Sequence, residues 1–270
     1  MSNVGQVERK AQDRVARLFS EQLGYRYLGS REYRDGNANI EVELLESNLS
    51  ARGYDGALIG KAMDQLKKAA ALGAGRDLYE ANRAVYELLR YGVKVKPGAG
   101  EQYETVWLID WNDPQANDFV IVEEVTIVGQ QTKRPDIVLY VNGLALVTLE
   151  LKRSRVAVSE GIRQTIGNQN PGFIRSFFST VQLVLAGNDV EGLRYGVIDT
   201  PEKYWLQWKE PSDVEEPLDR ALLQMCGKER LLELIHDFTV FDSGVRKACR
   251  HNQYFGVKAA QERIGRREGG

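Results

Sequence analysis

The sequence predicts an α/β fold in which helices flank a β-sheet, and three observations support this prediction. Apolar residues recur every three or four positions through the first third of the chain, which is typical of amphipathic helices. The middle of the chain instead carries short runs rich in valine and isoleucine, which favour strands. Two of these runs are joined by Asn142-Gly143, a dipeptide typical of tight β-hairpins.

Helices are predicted wherever the apolar period matches a helix. They cover residues 6–23, 40–49, 58–71 and 77–91, and a later helix begins with Ser159 as its N-cap residue. An acidic linker with two prolines follows at residues 211–217, and two more helices cover residues 218–226 and 228–236.

Strands are predicted for the runs rich in β-branched and aromatic residues. They cover residues 105–110, 119–128, 137–141, 144–151, 180–186, 194–198 and 204–208. The first four follow one another along the chain, so we expect them to form one sheet of at least four strands.

The second strand of the hairpin carries polar side chains on one face only, because side chains alternate along a strand. The expected apolar face comprises Ala145, Val147, Leu149 and Leu151, and the expected polar face comprises Thr148, Glu150 and Lys152. The polar face is therefore the part of the hairpin that can hold chemistry.

Whether Asp136 lies on the same face as Glu150 depends on the turn. A two-residue loop at Asn142-Gly143 puts Asp136 on the opposite face, because a shift of one residue flips every side chain. A three-residue loop with Gly143 in a bulge pairs Asp136 with Thr148 and leaves Glu150 as a diagonal neighbour on the same face, roughly 7 Å away. We predict an odd-length loop or an equivalent bulge.

Two carboxylates and an ammonium on one face suit a hard divalent cation. Mg²⁺ prefers oxygen ligands and usually needs only one or two carboxylates, which Asp136 and Glu150 would supply, with the Leu151 carbonyl as a third ligand and Mn²⁺ as a substitute metal. Lys152 would stabilise charge on a phosphate or orient the attacking water. The alternative is a cross-strand salt bridge on a solvated sheet face.

The two motifs Pro135-Asp136 and Glu150-Leu151-Lys152 resemble the PD-(D/E)xK nuclease motif. Longer stretches resemble the restriction (R, motor) subunit of type I restriction-modification enzymes, namely residues 103–111, 117–119, 133–143, 149–154 and 250–264. This resemblance implies a central mixed β-sheet flanked by helices and followed by a helical connector. It also implies a Mg²⁺-dependent endonuclease acting on double-stranded DNA. The rival interpretation is a catalytically silent nuclease-like module that docks the motor or methyltransferase subunits.

The resemblance implies roles for further residues. Gln164, twelve positions after Lys152, matches a glutamine that contacts DNA or braces the metal site, although Asn168 stands where a tyrosine is usual. The alternative is an ordinary surface-exposed glutamine of a helix. Glu8 in the first helix matches an acid that often assists the metal; the alternative is a surface glutamate favoured near a helix N-terminus. Gln253 matches a glutamine that reads the adenine of ATP in superfamily 2 helicases.

Composition limits the other functions that the chain could have. A net charge of −2 is low for a protein that grips DNA alone, so we expect local basic patches and help from other domains or subunits. Cys226 and Cys249 lack metal-ligand spacing and the chain has 2 histidines, which argues against zinc or cysteine catalysis and fits a reducing cytoplasm. No run is long and apolar enough to span a membrane.

The resemblance also predicts a division of the chain. Residues 1–210 would be the nuclease domain, residues 211–242 a helical connector, and residues 243–270 the start of a superfamily 2 motor that stops before the phosphate loop. We therefore expect ATP to bind only the full-length subunit, where ATP-driven translocation would precede cleavage. Methylation and specificity subunits would be its partners.

Overall fold

The computed structural model describes residues 3–73, 75–98 and 100–268, with the backbone alone for residues 3–8 and 267–268. Its helices are α1 Asn3–Arg17, α2 Val42–Ala51, α3 Gly56–Ala70, α4 Leu78–Tyr91, α5 Val158–Asn168, α6 Pro217–Cys226, α7 Lys228–Asp237 and α8 His251–Glu268. Its strands are β1 Arg26–Ser30, β2 Val93–Val95, β3 Glu104–Val106, β4 Phe119–Glu123, β5 Ile137–Val141, β6 Leu144–Leu151, β7 Leu183–Asn188, β8 Gly192–Gly196, β9 Thr239–Asp242 and β10 Val245–Ala248.

The described residues form a six-stranded central sheet in the order β1-β4-β5-β6-β7-β8. β1 runs parallel to β4 and β6 runs parallel to β7, whereas the other neighbours are antiparallel. The sheet is therefore mixed and flanked by helices, which confirms the predicted fold class.

Each face of the sheet packs against its own hydrophobic core. The larger core contains side chains from most of the helices, among them Leu45 of α2, Leu66 of α3 and Leu222 of α6. The smaller core packs Val138 of β5 against Ile162 of α5. At the end of β6, Glu150 and Lys152 lie beside Gly161 of α5.

The β5–β6 hairpin turns through the two-residue loop Asn142-Gly143, with Val141 paired to Leu144. Both loop residues have positive φ angles, 51° and 81°, which is the geometry that matches the twist of a tight hairpin. The predicted odd-length loop is therefore wrong.

The alternative that we predicted, an equivalent bulge, is confirmed. Tyr140 pairs with Ala145, but Leu139 pairs with Val147, so Leu146 is an additional residue in β6. An additional residue in one strand shifts the register of everything beyond it by one position.

The bulge decides which side chains share a face. Leu146 and Val147 both pack in the larger core while Ala145 packs in the smaller one, so the prediction that Ala145 shares a face with Val147 is wrong. Ile137, the first residue of β5, pairs with Leu149, so the shifted register sets the preceding residue, Asp136, opposite Glu150. The two acids are therefore direct neighbours, not the diagonal neighbours that we predicted.

Gly143→Ala should strongly destabilise the protein. A Cβ atom there would lie 2.6 Å from the Glu41 carbonyl oxygen and 2.8 Å from the Leu45 nitrogen, both backbone atoms at the start of α2. The left-handed backbone costs an L-residue roughly 1–2 kcal/mol and overpacking adds roughly 1–3 kcal/mol. We expect the free energy of unfolding in urea to fall by roughly 2–5 kcal/mol.

Gly36→Ala is the matched control for this substitution. Gly36 also has a left-handed backbone, with φ 72°, but a Cβ atom there would meet nothing within 4 Å. It should show only the backbone cost, and equal losses for Gly143→Ala and Gly36→Ala would contradict the proposed contact with α2.

The predicted N-cap at Ser159 is wrong, because a distant residue caps the helix. α5 begins at Val158 with Ala157 as its N-cap residue, and no side chain of Ala157 can accept a hydrogen bond. The Glu191 carboxylate accepts the Val158 backbone N–H at 2.9 Å instead. Local sequence could not reveal this contact.

Two predicted strands differ from the structure. The run 105–110 does not join the central sheet: β3 pairs with β2 in a separate ribbon, and Asp110 then turns the chain by accepting backbone N–H groups two and three residues later. The run 204–208 forms no strand, and Leu206 makes only an isolated bridge with Tyr195.

β1 and the β9–β10 hairpin were not predicted. β1 has the sequence RYLGS, which has no β-branched residue, and it extends because it pairs in parallel with β4. β4 is also shorter than predicted, since Glu124 directly after it has a positive φ of 50°. Tertiary pairing outweighs local propensity in these segments.

The two helices after the acidic linker, α6 and α7, pack into the larger core through Leu222 and Ile235. The domain boundaries at residues 210 and 242 stay a prediction. Among the described helices, none combines the length and the apolar character that crossing a bilayer requires.

Candidate active site

A polar cleft of about 460 Å³ opens where β6 ends and β5 begins. It is lined by Arg9, Gln12, Glu32, Glu124, Arg134, Asp136, Glu150, Lys152 and Gln164. The four side chains that we predicted as catalytic are among them, so the fold brings them together from two strands and one helix.

Asp136 is held firmly at the start of β5. Its Oδ2 accepts a hydrogen bond from the Leu151 backbone N–H at 2.7 Å, and its carbonyl oxygen accepts one from the Glu124 N–H at 2.8 Å. The first bond crosses the hairpin and forms only in the shifted register. It therefore fixes the Asp136 carboxylate beside the end of β6.

Glu150 is a deeply buried acid, with a relative exposure of 3%. Burial raises its pKa well above the ordinary value, the charge and hydrogen bonding of Asp136 raise it further, and Lys152 partly opposes the shift. A buried carboxylate next to a second carboxylate is stabilised by positive charge brought between them.

Lys152 supplies positive charge at this place. Its Nζ donates hydrogen bonds to Glu150 Oε1 at 2.9 Å and to Gln164 Oε1 at 2.8 Å. The ion pair with Glu150 therefore joins two residues of the same segment inside a cleft, and it is not the cross-strand salt bridge on a solvated sheet face that we considered as the alternative. Gln164 is exposed on α5, and its amide oxygen orients the ammonium.

The donor set fits a hard divalent cation such as Mg²⁺ or Mn²⁺ better than a metal that prefers cysteine or histidine ligands. Two carboxylates, from Asp136 and Glu150, are close together, and the Leu151 main chain lies beside them. No group of three or more His, Cys, Asp or Glu side chains in the described part of the chain is placed to hold a metal. Mg²⁺ needs only one or two carboxylates and keeps several waters, so the set suits it.

The other residues that line the cleft were missed from the sequence. Arg134 lies between Glu32 and Glu124 and forms ion pairs with both. Gln12 is buried on α1, with 3% of its surface exposed. The sequence did contain one signal for Gln12: it lies three positions before Val15, where a polar residue interrupts the apolar face of the predicted helix.

Asn168 and Gln253 are not among the residues that line the described cleft. The side chain of Glu8 lies outside the described residues, and Asn168 is buried with 4% exposure. Gln253 is exposed at the start of α8, where its Oε1 accepts the Arg250 N–H at 2.8 Å. It lines a separate groove of about 680 Å³, and its adenine-reading role stays a prediction.

Comparison with known proteins assigns this chain to a family. Residues 5–203 match the family model described as the type I restriction enzyme R protein N terminus. The chain is 27% identical over 285 aligned positions to the type I restriction enzyme HindI endonuclease subunit of Haemophilus influenzae, covering 96% of this chain and 26% of that protein. It is 24% identical over 147 positions to the type I restriction enzyme EcoprrI endonuclease subunit of Escherichia coli, covering 52% of this chain and 47% of that protein. The chain thus spans about a quarter of the Haemophilus relative and about half of the E. coli one.

Proposed function

The chain belongs to the family of type I restriction enzyme R protein N termini, and from this premise we propose that it is a Mg²⁺-dependent DNA endonuclease domain. The observation that carries the proposal is that Asp136, Glu150 and Lys152 line one cleft. The bulge in β6 sets Asp136 and Glu150 side by side there. The proposed reaction is hydrolysis of phosphodiester bonds in double-stranded DNA.

In the proposed mechanism, the carboxylates of Asp136 and Glu150 and the Leu151 carbonyl would hold the metal. A bound Mg²⁺ would supply Lewis acidity toward a phosphate oxygen and lower the pKa of a water molecule. Lys152 would donate to a phosphate oxygen that gains negative charge in the transition state. Gln164 would keep the ammonium directed into the cleft, as its hydrogen bond to Lys152 suggests.

The proposed DNA path crosses the cleft beside two arginines. Arg9 and Arg134 line it, and phosphate contacts of this kind position nucleic acid without reading its sequence. Because the net charge of the chain is −2, we propose that further DNA grip comes from other parts of the enzyme. ATP-driven translocation and assembly with methylation and specificity subunits in the cytoplasm are likewise proposals for the full-length subunit.

Metal binding by the 270-residue chain tests the proposal directly. We expect Mn²⁺ titration calorimetry to show binding that Asp136→Asn removes, because the substitution deletes a ligand charge while keeping the side-chain shape. Asp35→Asn, at an exposed aspartate outside the cleft, is the control and should bind like wild type. Absence of Mn²⁺ and Mg²⁺ binding by the wild-type chain would favour the rival docking module.

Gly161→Ala should impair cleavage more than folding. A Cβ atom on Gly161 would lie 3.3 Å from the Ala186 Cβ, 3.4 Å from the Lys152 Cγ and 3.5 Å from the Glu150 Cγ. The added methyl would be tight against Ala186 and in ordinary contact with Lys152 and Glu150, so relief of the tight contact would shift α5 relative to these two side chains. We expect a drop in DNA cleavage of roughly tenfold, since small displacements of reacting groups are costly.

Gly167→Ala is the control in the same helix. A Cβ atom at Gly167 would meet nothing within 4 Å, and alanine favours a helix, so stability should rise slightly and cleavage should not change. The contact argument fails if Gly161→Ala cleaves DNA as fast as Gly167→Ala.

A further inference from the structure

A buried arginine from the C-terminal hairpin enters the nuclease core. Arg246 of β10 has a relative exposure of 3%. Its guanidinium lies over the rings of Tyr86 and Phe241, with 5.8 Å and 5.0 Å to the ring centroids. It is unusual for a charged side chain to be placed so deeply.

Every hydrogen bond that the described structure gives this guanidinium goes to a neutral oxygen. Nη1 donates to Asn82 Oδ1 at 2.6 Å and to the Val181 carbonyl at 3.1 Å, and Nη2 donates to Gln182 Oε1 at 2.6 Å. Within the described residues, Nε is buried without a partner. Burial lowers the pKa of Arg246 to about 9. A buried cation held in this way is costly, so its place in the fold calls for a reason beyond packing.

Two of the three acceptors of Arg246, the Val181 carbonyl and Gln182 Oε1, belong to the segment 178–182, which enters β7, and the third is Asn82 of α4. Asn82 Nδ2 fastens this segment by donating to the carbonyls of Phe178, Ser179 and Val181 at 3.1, 3.1 and 2.8 Å. Arg246 adds two contacts to the end of the same segment. The segment is therefore fixed from one side by two buried side chains.

On its other side, the segment donates hydrogen bonds to the bulge of β6. The Gln182 backbone N–H donates to the Leu146 carbonyl at 2.7 Å, and Thr180 Oγ1 donates to the Ala145 carbonyl at 2.8 Å. Leu146 is the additional residue that shifts the register. Two of the bonds that hold the bulge thus come from the segment that Arg246 anchors, and another, from the Ala145 N–H to the Asn39 carbonyl at 2.9 Å, comes from the residues before α2.

We propose that Arg246 is a positioning residue for the candidate active site, acting through Gln182 on the bulge at Leu146. The bulge sets Asp136 beside Glu150, so a shift of the segment 178–182 would reach both carboxylates. This inference rests on the proposed function for its consequence in catalysis. Its structural part, the control of the hairpin register, stands without it.

The chemistry of arginine suits this role. Its planar fork reaches Asn82 and Gln182 at once, whereas a lysine offers one point of charge and cannot bridge both in the same geometry. An apolar residue of similar length would leave both amide oxygens without a donor in the core. The Gln182 side chain would then turn toward another partner and loosen the peptide that bonds Leu146.

The test separates positioning from simple anchoring of the hairpin. Arg246→Met and Arg246→Lys are compared with Ile235→Ala, which truncates a fully buried side chain of α7 in the larger core, whereas Phe178 and Val181 of the segment pack in the smaller one. The readouts are Mn²⁺ affinity and hydrogen exchange of the Leu151 amide, which bonds Asp136, relative to the amide of Leu185 in β7.

We expect both Arg246 variants to lose protection at Leu151 relative to Leu185, and Mn²⁺ to bind roughly tenfold more weakly, as for residues that orient metal ligands. Ile235→Ala should lower the protection of both amides together and leave the Mn²⁺ affinity of the folded protein unchanged. Arg246→Lys keeps the test decisive if Arg246→Met does not fold.

An unchanged Leu151-to-Leu185 ratio in a folded Arg246 variant would overturn the inference, whatever happens to overall stability. A wild-type chain that binds no Mn²⁺ would reject the proposed function, while the exchange ratio would still decide the role of Arg246.

Discussion

Lys152→Met should abolish restriction while leaving the fold intact. Lys152 is the cation hydrogen-bonded to the buried acid Glu150 in the cleft, and methionine retains most of its length without its charge. Removing one preorganised donor to a developing oxyanion typically lowers a rate about 100- to 1000-fold. We expect the larger loss, because Glu150 would also lose the positive charge that favours its ionised form.

The measurement is phage restriction in cells that express the complete restriction system with this variant, together with plasmid cleavage by the purified enzyme. Lys67→Met is the matched control, since Lys67 is exposed on α3 and does not line the cleft. Normal restriction by a stably assembled Lys152→Met enzyme would reject the proposed role of Lys152 and weaken the nuclease assignment with it.

Glu150→Gln should raise thermal stability and remove metal binding in the same protein. The raised pKa of Glu150 means that the folded state disfavours its ionised form. Stability is therefore lost as the pH rises from the ordinary carboxyl pKa through the raised folded-state pKa. Glutamine carries no charge at any pH and escapes this loss.

At neutral pH and without metal, we expect Glu150→Gln to melt above wild type. Each unit by which the pKa is raised corresponds to about 1.4 kcal/mol, and each kcal/mol corresponds to roughly 2–4 °C for a chain of this size. The difference should shrink as the pH falls and Glu150 becomes protonated. Added Mn²⁺ should reverse the order, because it stabilises only the protein that binds it.

Differential scanning calorimetry across pH, with and without Mn²⁺, checks both expectations. Glu46→Gln at an exposed position of α2 provides the control and should follow wild type in every condition. Equal melting temperatures of Glu150→Gln and wild type at neutral pH without metal would show that ionised Glu150 does not destabilise the folded protein, which contradicts this prediction.

The effects expected of Lys152→Met and Glu150→Gln have a common physical basis. Asp136 and Glu150 are held together by the shifted register and by the Leu151 N–H, in a place where burial disfavours charge. A site built in this way costs stability when empty and gains it on binding a cation. Loss of function with a gain of stability is the signature expected of such a site.

The sequence by itself predicted seven of the described α-helices, the position of the hairpin turn and the family, but not helix α8. Apolar periodicity and the Asn142-Gly143 dipeptide are local signals, because helix formation and turn geometry depend mainly on residues that are close along the chain. The same sequence also identified Asp136, Glu150, Lys152 and Gln164 as residues that belong together, through their resemblance to a nuclease motif.

Tertiary structure alone decided how these residues meet. The bulge at Leu146 depends on bonds from Thr180 and Gln182, more than thirty positions away, and α5 is capped by Glu191 instead of a local side chain. β1 is a strand only because β4 lies beside it. In each case the deciding hydrogen bond joins segments that are distant along the chain, and no local pattern of residue types encodes such a partner.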